Sequence, residues 1–282
     1  MGNGITFLQT DTTYFYDGLS GGTGRLGGSG HFVGQNPSND ARILYYADKR
    51  HTFGKMYVEI YRDTQLIRTL QAGKSAGLNA VSLPITTEKP KSPPTDNRMA
   101  RWGARTGPSL EAGTYRVKLI KGKNTYETAF TLAPRPGSPY SLADRNSHRE
   151  LLLQLYDDTE QVAYLHAVLE HVAEQADTSG HTALTEQARQ LQSQLVFLGG
   201  DGYVNEGEQL GESVTSLYGN VAGFPGQPSD SQVAEARRLR GEIAALQEEV
   251  DALLAEVRRL NEGVAEEQQI TYPDKASFLA TE

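Results

Sequence analysis

Hydrophobic periodicity changes once along this chain, and that change limits the folds open to it. In the strand-like runs between Ala41 and Leu132 the apolar residues recur at every second position, and from Ser141 onward at every third or fourth. A period of two marks strands with one face in a core, whereas a period of about 3.5 marks helices with one apolar side. The join, Ala133 to Tyr140 (APRPGSPY), has three prolines in eight residues, which remove backbone donors and stiffen the connection. A multidomain α and β chain is therefore predicted, β first and helical second, and 282 residues suffice for two ordinary cores.

The β part is organised around Phe53 to Leu132. Met56, Val58 and Ile60 alternate with Tyr57, Glu59 and Tyr61, which puts an apolar set on a core face and a mixed aromatic set on the other. Arg62 to Gln65 is polar and Leu66 to Leu70 resumes the apolar pattern, so a hairpin is predicted there. A second hairpin runs from Tyr115, Val117 and Leu119 through Lys121-Gly122-Lys123-Asn124 to Tyr126, Thr128, Phe130 and Leu132. With Ala41 to Ala47 and Ala80 to Leu83 added, about five or six short strands predict a β-sandwich of roughly 100 residues, placed at 35–135.

The run FVGQNPSNDARILYY, then FGKMYVEIY, LIRTL, AGLNAVS and EAGTYRVKLIKGKNTYETAFTL, resembles the immunoglobulin-like domain of the flagellar hook-capping type. It is more closely similar to the version near the C-terminus of bacterial proteins whose main body is a sortilin-like, sialidase-like β-propeller. The segment LYGNVAGFPGQPSDSQ with the long helix after it also resembles the tail of those proteins. The resemblance covers Phe32 to Leu260, includes no catalytic motif, and departs at Ser82-Leu83, where a Trp-containing strand end is expected. It implies an Ig-like antiparallel β-sandwich followed by an antiparallel α-helical bundle. It also implies an extracytoplasmic location, in the periplasm, at the cell surface or secreted, with a preceding propeller that these residues do not contain. MGNGITFLQTD lacks the charged-then-apolar layout of a signal peptide, so the export signal is expected outside this sequence.

Composition excludes several chemistries. There is no cysteine, hence no disulfide framework and no thiolate chemistry, and no apolar run is long enough to predict membrane insertion. The net charge of −8 conceals an asymmetry: residues 1–135 carry 18 Lys and Arg against 10 Asp and Glu, and residues 136–282 carry 9 against 25. The two halves either attract one another, within or between chains, or are solvated separately. Basic residues this few on an acidic chain predict no nucleic-acid partner.

Residues 1–34 read as a glycine-rich linker or the remnant of a preceding domain, with Ile5 to Phe7 and Thr13 to Tyr16 as strand candidates. Gly22-Thr23-Gly24-Arg25-Leu26-Gly27 formally fits a dinucleotide fingerprint. The GGSGHFVG that follows cannot open the helix whose N-terminus would meet a pyrophosphate, so no cofactor is predicted.

Residues 141–270 read as the helical bundle, after a proline-rich linker at 136–140 and before a C-terminal tail at 271–282. Leu152, Leu155, Thr159, Val162, His166, Leu169, Ala173 and Ala176 share one side of a first helix of about 35 residues. A second helix carries Leu184, Ala188, Leu191, Leu195 and Leu198 and is expected to stop at the GGDG from Gly199. Leu210, Val214, Leu217 and Val221 form a third element. The last helix, capped by Ser229 or Asp230, has the most regular seam: Leu239, Ile243, Leu246, Val250, Leu253, Val257, Leu260 and Val264. Such a heptad suits a homodimeric coiled coil. Glu242, Glu249 and Glu256 nevertheless face Gln247, Leu254 and Asn261, specifying no interchain ion pairs, and the wider face at Leu254 favours an intramolecular bundle broken at Gly199 to Gly207.

The longest loop of the β part, Thr86 to Ala112, holds the only tryptophan, with Lys89 and Lys91 upstream. Arg98, Arg101, Trp102 and Arg105 are the candidate ligand-binding residues, since arginine beside an exposed aromatic suits an acidic glycan, a carboxylate or a partner surface. The alternative is that Trp102 caps the open end of the sandwich while the arginines are solvated. His166 and His171 are five apart and do not share a helix face, so His166 reads as a core histidine and no metal site is predicted. Asp201 to Glu212 has the spacing of a calcium loop, but Tyr203 and Glu206 stand where a ligand and a glycine are needed. Asp157-Asp158 and Glu248-Glu249 read as surface carboxylates pointing different ways, not as a glycosidase pair.

No residue is assigned a catalytic role. The functional expectation is a non-catalytic accessory or binding module of an exported propeller protein, bracing the propeller or binding a protein or glycan ligand. Two alternatives stand: a structural oligomerisation or assembly protein using the last helix, and part of a glycoside hydrolase whose catalytic domain is absent here. The partners implied are the preceding propeller or a partner protein, a glycan, or a second copy of the chain.

Overall fold

The computed structural model describes residues 4–8, 12–15, 40–98, 100–199 and 207–281. They form two compact units: Met1–Thr87 with Ser109–Leu142, and Glu88–Pro108 with Ala143–Glu282. The first holds strands and the second holds helices, so α and β content is mixed as the change of period requires.

The β unit contains β1 (Ile5–Phe7), β2 (Thr13–Tyr14), β3 (Ala41–Ala47), β4 (Met56–Arg62), β5 (Gln65–Gln71), β6 (Gly77–Leu83), β7 (Gly113–Lys121) and β8 (Asn124–Ala133). They make a three-stranded sheet in the order β1-β3-β6 and a five-stranded sheet in the order β2-β8-β7-β4-β5. Every pairing is antiparallel except β2 with β8. Both sheets contribute to one core: Ile43, Tyr45, Val81 and Leu83 from the first, and Val58, Ile60, Val117 and Leu119 from the second. Tyr45 is fully buried, with its hydroxyl donating to the Gly73 carbonyl at 2.6 Å, and burial pushes its pKa up to about 12. Both predicted hairpins form. Asp63 (φ 51°) and Gly122 (φ 62°) take the left-handed conformation that two-residue turns between twisted strands require.

The N-terminal segment differs from its reading as a linker or remnant of another domain. β1 pairs with β3 and β2 with β8, and Ile5 and Phe15 enter the same core. Both strands are only two or three residues long, with too few side chains to show where they belong. The dinucleotide-like glycine run lies outside the described residues.

The helical unit contains α1 (Leu142–Thr178), α2 (Thr182–Leu195), α3 (Leu210–Ala222), α4 (Asp230–Leu260) and α5 (Lys275–Ala280). α2 ends at Leu195, with Val196 already extended, so it stops before the glycines expected to end it, and Leu198 is exposed. Ser229 caps α4: its side chain accepts from Gln232 N at 3.3 Å while the Gln232 side chain accepts from Ser229 N at 2.9 Å. Leu239, Ile243, Leu246, Val250, Leu253 and Val257 are buried in this unit's own core, which they share with α1, α2 and α3; Leu260 is 36% exposed. The residues read as a C-terminal tail pack within this unit. Gln175 holds Thr271 by side chain and backbone, the Tyr164 hydroxyl donates to the Pro273 carbonyl at 3.3 Å, and the Phe278 ring lies 5.8 Å from that of Tyr164.

Residues 88–108 depart furthest from the sequence reading. They lie within the longest loop between strands, yet they pack with the helices. At the neck of this excursion Thr86 and Ser109 form an antiparallel bridge and Leu110 N donates to the Ile85 carbonyl at 2.7 Å, so the β unit closes behind it.

Candidate functional site

Segment 88–108 is fixed to the helical unit at three levels. Lys91 sits at the end of α5, donating from Nζ to the Phe278 and Thr281 carbonyls at 2.5 and 3.0 Å and lying 4.1 Å from the centre of the Phe278 ring. A cation there satisfies carbonyls that a helix end leaves open. Further along, the Thr95 hydroxyl donates to Glu212, whose side chain is fully buried and also accepts from Phe197 N and Gln209 N, both at 3.0 Å. A buried carboxylate with three donors is satisfied, and this one joins the segment to the end of α2 and the start of α3. At the far end the buried Tyr218 donates from its hydroxyl to the Thr106 carbonyl at 2.7 Å, and burial pushes its pKa up.

Between these anchors the backbone of the segment lies directly on α3. Gly211, Thr215 and Gly219 recur every fourth residue and so share one side of that helix. A Cβ on Gly219 would stand 2.8 Å from Gly103 Cα, and a Cβ on Gly103 would stand 2.1 Å from the Thr215 carbonyl oxygen. Only glycine permits this approach. The short 3₁₀ turn Ala100–Trp102 is carried here, with Ala100 and Ala104 buried beneath it. The Asn97 side chain accepts from Ala100 N at 3.2 Å and opens the turn.

The four candidate ligand-binding residues occupy this turn and its flanks, and they divide in two. Arg101 is engaged internally, donating from Nε to the Thr95 carbonyl at 2.7 Å and pairing with Asp96 at 3.1 Å; Asp96 in turn accepts from Gly199 N at 2.8 Å. Trp102 is 55% exposed, and the guanidinium of Arg105 lies 3.4 Å from the centre of its ring. Arg98 is exposed. Trp102 belongs to the helical unit and is not a plug in the core of the sheets.

A cleft of about 530 Å³ lies between α2, α3 and α4, with Leu210 and Leu246 in its lining and Glu208, Glu242 and Glu249 around it. Its one arginine, Arg238, is held by Glu235 at 2.6 Å and by Glu242.

The remaining sequence candidates have structural partners. His166 is buried and its ring accepts from the Gln192 amide at 3.0 Å, whereas His171 is exposed and bonded to the Ala167 carbonyl. Glu212, the last position of the calcium-like spacing, serves the junction just described; Asp201 to Glu206 lie outside the described residues. Asp158, expected on the surface, is buried and paired with Arg240 at 2.9 Å, while Asp157 is exposed. Burial pushes the Asp158 carboxyl up against the opposing pull of Arg240. Among the described residues no group of three His, Asp or Glu could hold a metal ion, and no helix is long and apolar enough to cross a membrane.

No family model matches this chain, and no curated protein matches it. Among solved structures it is similar to a chimeric titin Z1Z2 tandem functionalised with a GRGDS peptide from fibronectin. The two are 15% identical over 47% of this chain and 50% of that one, with a TM-score of 0.23. The chain spans half the length of that structure.

Sequence reasoning found Trp102 and its arginines but not Gly103, Gly211 and Gly219, which hold them, and it met Glu212 only as the end of a calcium-like spacing. The one available signal was the four-residue spacing of Gly211, Thr215 and Gly219.

Proposed function

We propose that the chain is a non-catalytic binding module that presents Trp102 to a protein or glycan ligand, as an extracytoplasmic accessory of a propeller-bearing protein. In this reading the two sheets form an Ig-like antiparallel β-sandwich, and the helices form an antiparallel bundle that serves as the platform for the tip. The observation that carries the proposal is the pairing of an indole exposed over half its surface with a segment held by glycine-to-backbone packing and a buried carboxylate. Such a tip is ordered before it meets a ligand, which lowers the entropy cost of binding. The resemblance of Phe32 to Leu260 supports the accessory role and the extracytoplasmic setting.

Trp102 is the only tryptophan, so emission excited beyond the tyrosine absorption band reports on this site alone. A panel of polysaccharides and cell-surface proteins should include one that shifts the emission of the native chain and no longer binds Trp102→Ala. Turnover of the bound material that a single carboxylate substitution abolishes would overturn the non-catalytic reading.

A further inference from the structure

The helical unit carries 27 Asp and Glu against 14 Lys and Arg, yet among the described residues no carboxylate pairs with Arg98 or Arg105. Within that unit, residues 88–108 are the basic part, with five cations and two acids. Lys91 and Arg101 are engaged on α5 and on Asp96. Arg105 instead stacks on Trp102 at 3.4 Å. A guanidinium stacked by its face keeps its N–H donors in the plane at right angles to the stack, the geometry that grips a planar carboxylate with two parallel hydrogen bonds. The stack also fixes a side chain that would otherwise lose rotamer freedom on binding.

We propose that this tip binds an acidic polysaccharide of uronic acids, with Arg105 taking a ring carboxylate, Trp102 packing against the C–H face of the same pyranose, and Arg98 adding attraction to the polyanion. The proposal rests on the reading of the tip as a recognition element. A polyuronate fits better than an acidic peptide for a geometric reason. Its carboxylate is bonded directly to a rigid ring, so a carboxylate gripped in the plane of the Arg105 fork carries an apolar ring alongside, toward the indole surface that the guanidinium leaves uncovered. Asp and Glu hold the carboxylate on a free methylene arm and bring nothing comparable.

The test is titration of the full chain, followed by Trp102 emission, with tetragalacturonate, its methyl ester, a neutral cello-oligosaccharide and poly-L-glutamate, at low and high salt. Tetragalacturonate should bind, more weakly at high salt. Arg105→Lys, which keeps the charge but loses the planar fork, should weaken it about tenfold. Trp102→Ala, followed by calorimetry, should abolish it, and Arg237→Gln, an exposed arginine on α4, should leave it unchanged. Equal binding of the methyl ester or the neutral sugar overturns the acidic class and leaves the recognition tip standing. Binding of poly-L-glutamate alone overturns the glycan. A Trp102 that responds to none of these but does respond to a member of the wider panel overturns the uronate proposal only. A Trp102 that responds to nothing overturns both readings.

Discussion

α4 and α3 share one apolar core and pack by opposite rules. α4 presents Leu239, Ile243, Leu246, Val250, Leu253 and Val257, so its burial is side chain against side chain. α3 also buries Val214 and Leu217, but on another side it presents Gly211, Thr215 and Gly219 to backbone: Leu195 for Gly211 and Gly103 for Gly219. A side-chain seam has rotamers that can adjust, whereas a backbone contact has none. The first kind of packing tolerates exchange of one apolar residue for another. The second tolerates almost nothing, and it carries the turn that holds Trp102.

The largest effect expected is on the seam itself. Val250 is fully buried, and Val250→Asp places an unpaired carboxylate there; a loss of more than about 4 kcal/mol, seen as collapse of helical circular dichroism, is expected. Leu246→Met, of similar volume, should cost less than about 1.5 kcal/mol. Equal damage from both would remove the claim that the seam is tolerant.

Next comes the node that joins α3 to the tip. Glu212→Ala leaves the Thr95 hydroxyl, Phe197 N and Gln209 N without their acceptor, and about 3 kcal/mol of stability should be lost in urea titration. The same variant should shift Trp102 emission in the folded protein, because residues 95–102 lose an anchor. Unchanged emission would show that the tip is held without it.

The sharpest comparison uses one substitution twice. Gly219→Ala meets Gly103 Cα at 2.8 Å and should destabilise by about 1–3 kcal/mol despite alanine's better helix propensity. Gly241→Ala, on α4 with nothing within 4 Å, should stabilise by about 0.5–1 kcal/mol. Effects of the same sign would break the distinction between the two helices.

The smallest effect is on pH dependence. His148, whose ring donates to the Val221 carbonyl at the end of α3, is held below the usual histidine range by burial, with Arg145 adding repulsion. His166 is held low by burial too, against Glu170 and Glu212. The folded state therefore binds fewer of these protons than the unfolded chain as pH falls below about 6.5, and stability falls with it. Asp158 works in the opposite sense, its raised pKa favouring the folded state under acid, but only toward the carboxylate range. The Tm should drop between about pH 7.5 and pH 5.5, and the drop should shrink in the His148→Gln, His166→Gln double variant. A drop of the same size in that variant would assign it to other groups.

Periodicity alone was enough to locate β4, β7, β8, α1, α3 and the α4 seam, because each buries one face of a regular element and the repeat is written in consecutive residues. The alternation of Met56, Val58 and Ile60 with Tyr57, Glu59 and Tyr61 reads the same in sequence and in structure. Trp102 and its arginines were legible as a candidate from their place together in the longest loop of the β part.

The places of the non-periodic segments are set by long-range contacts alone. β1 and β2 are too short to carry a repeat, and residues 88–108 have none, yet the former complete the sheets and the latter pack on the helices. Their positions follow from contacts far apart in sequence: Thr95 with Glu212, Thr106 with Tyr218, and Gly103 with Gly219. A periodic pattern encodes which face of an element is buried. It says nothing of a segment whose partner is another segment's backbone, because backbone is the same at every residue, and only a glycine marks where two segments come that close.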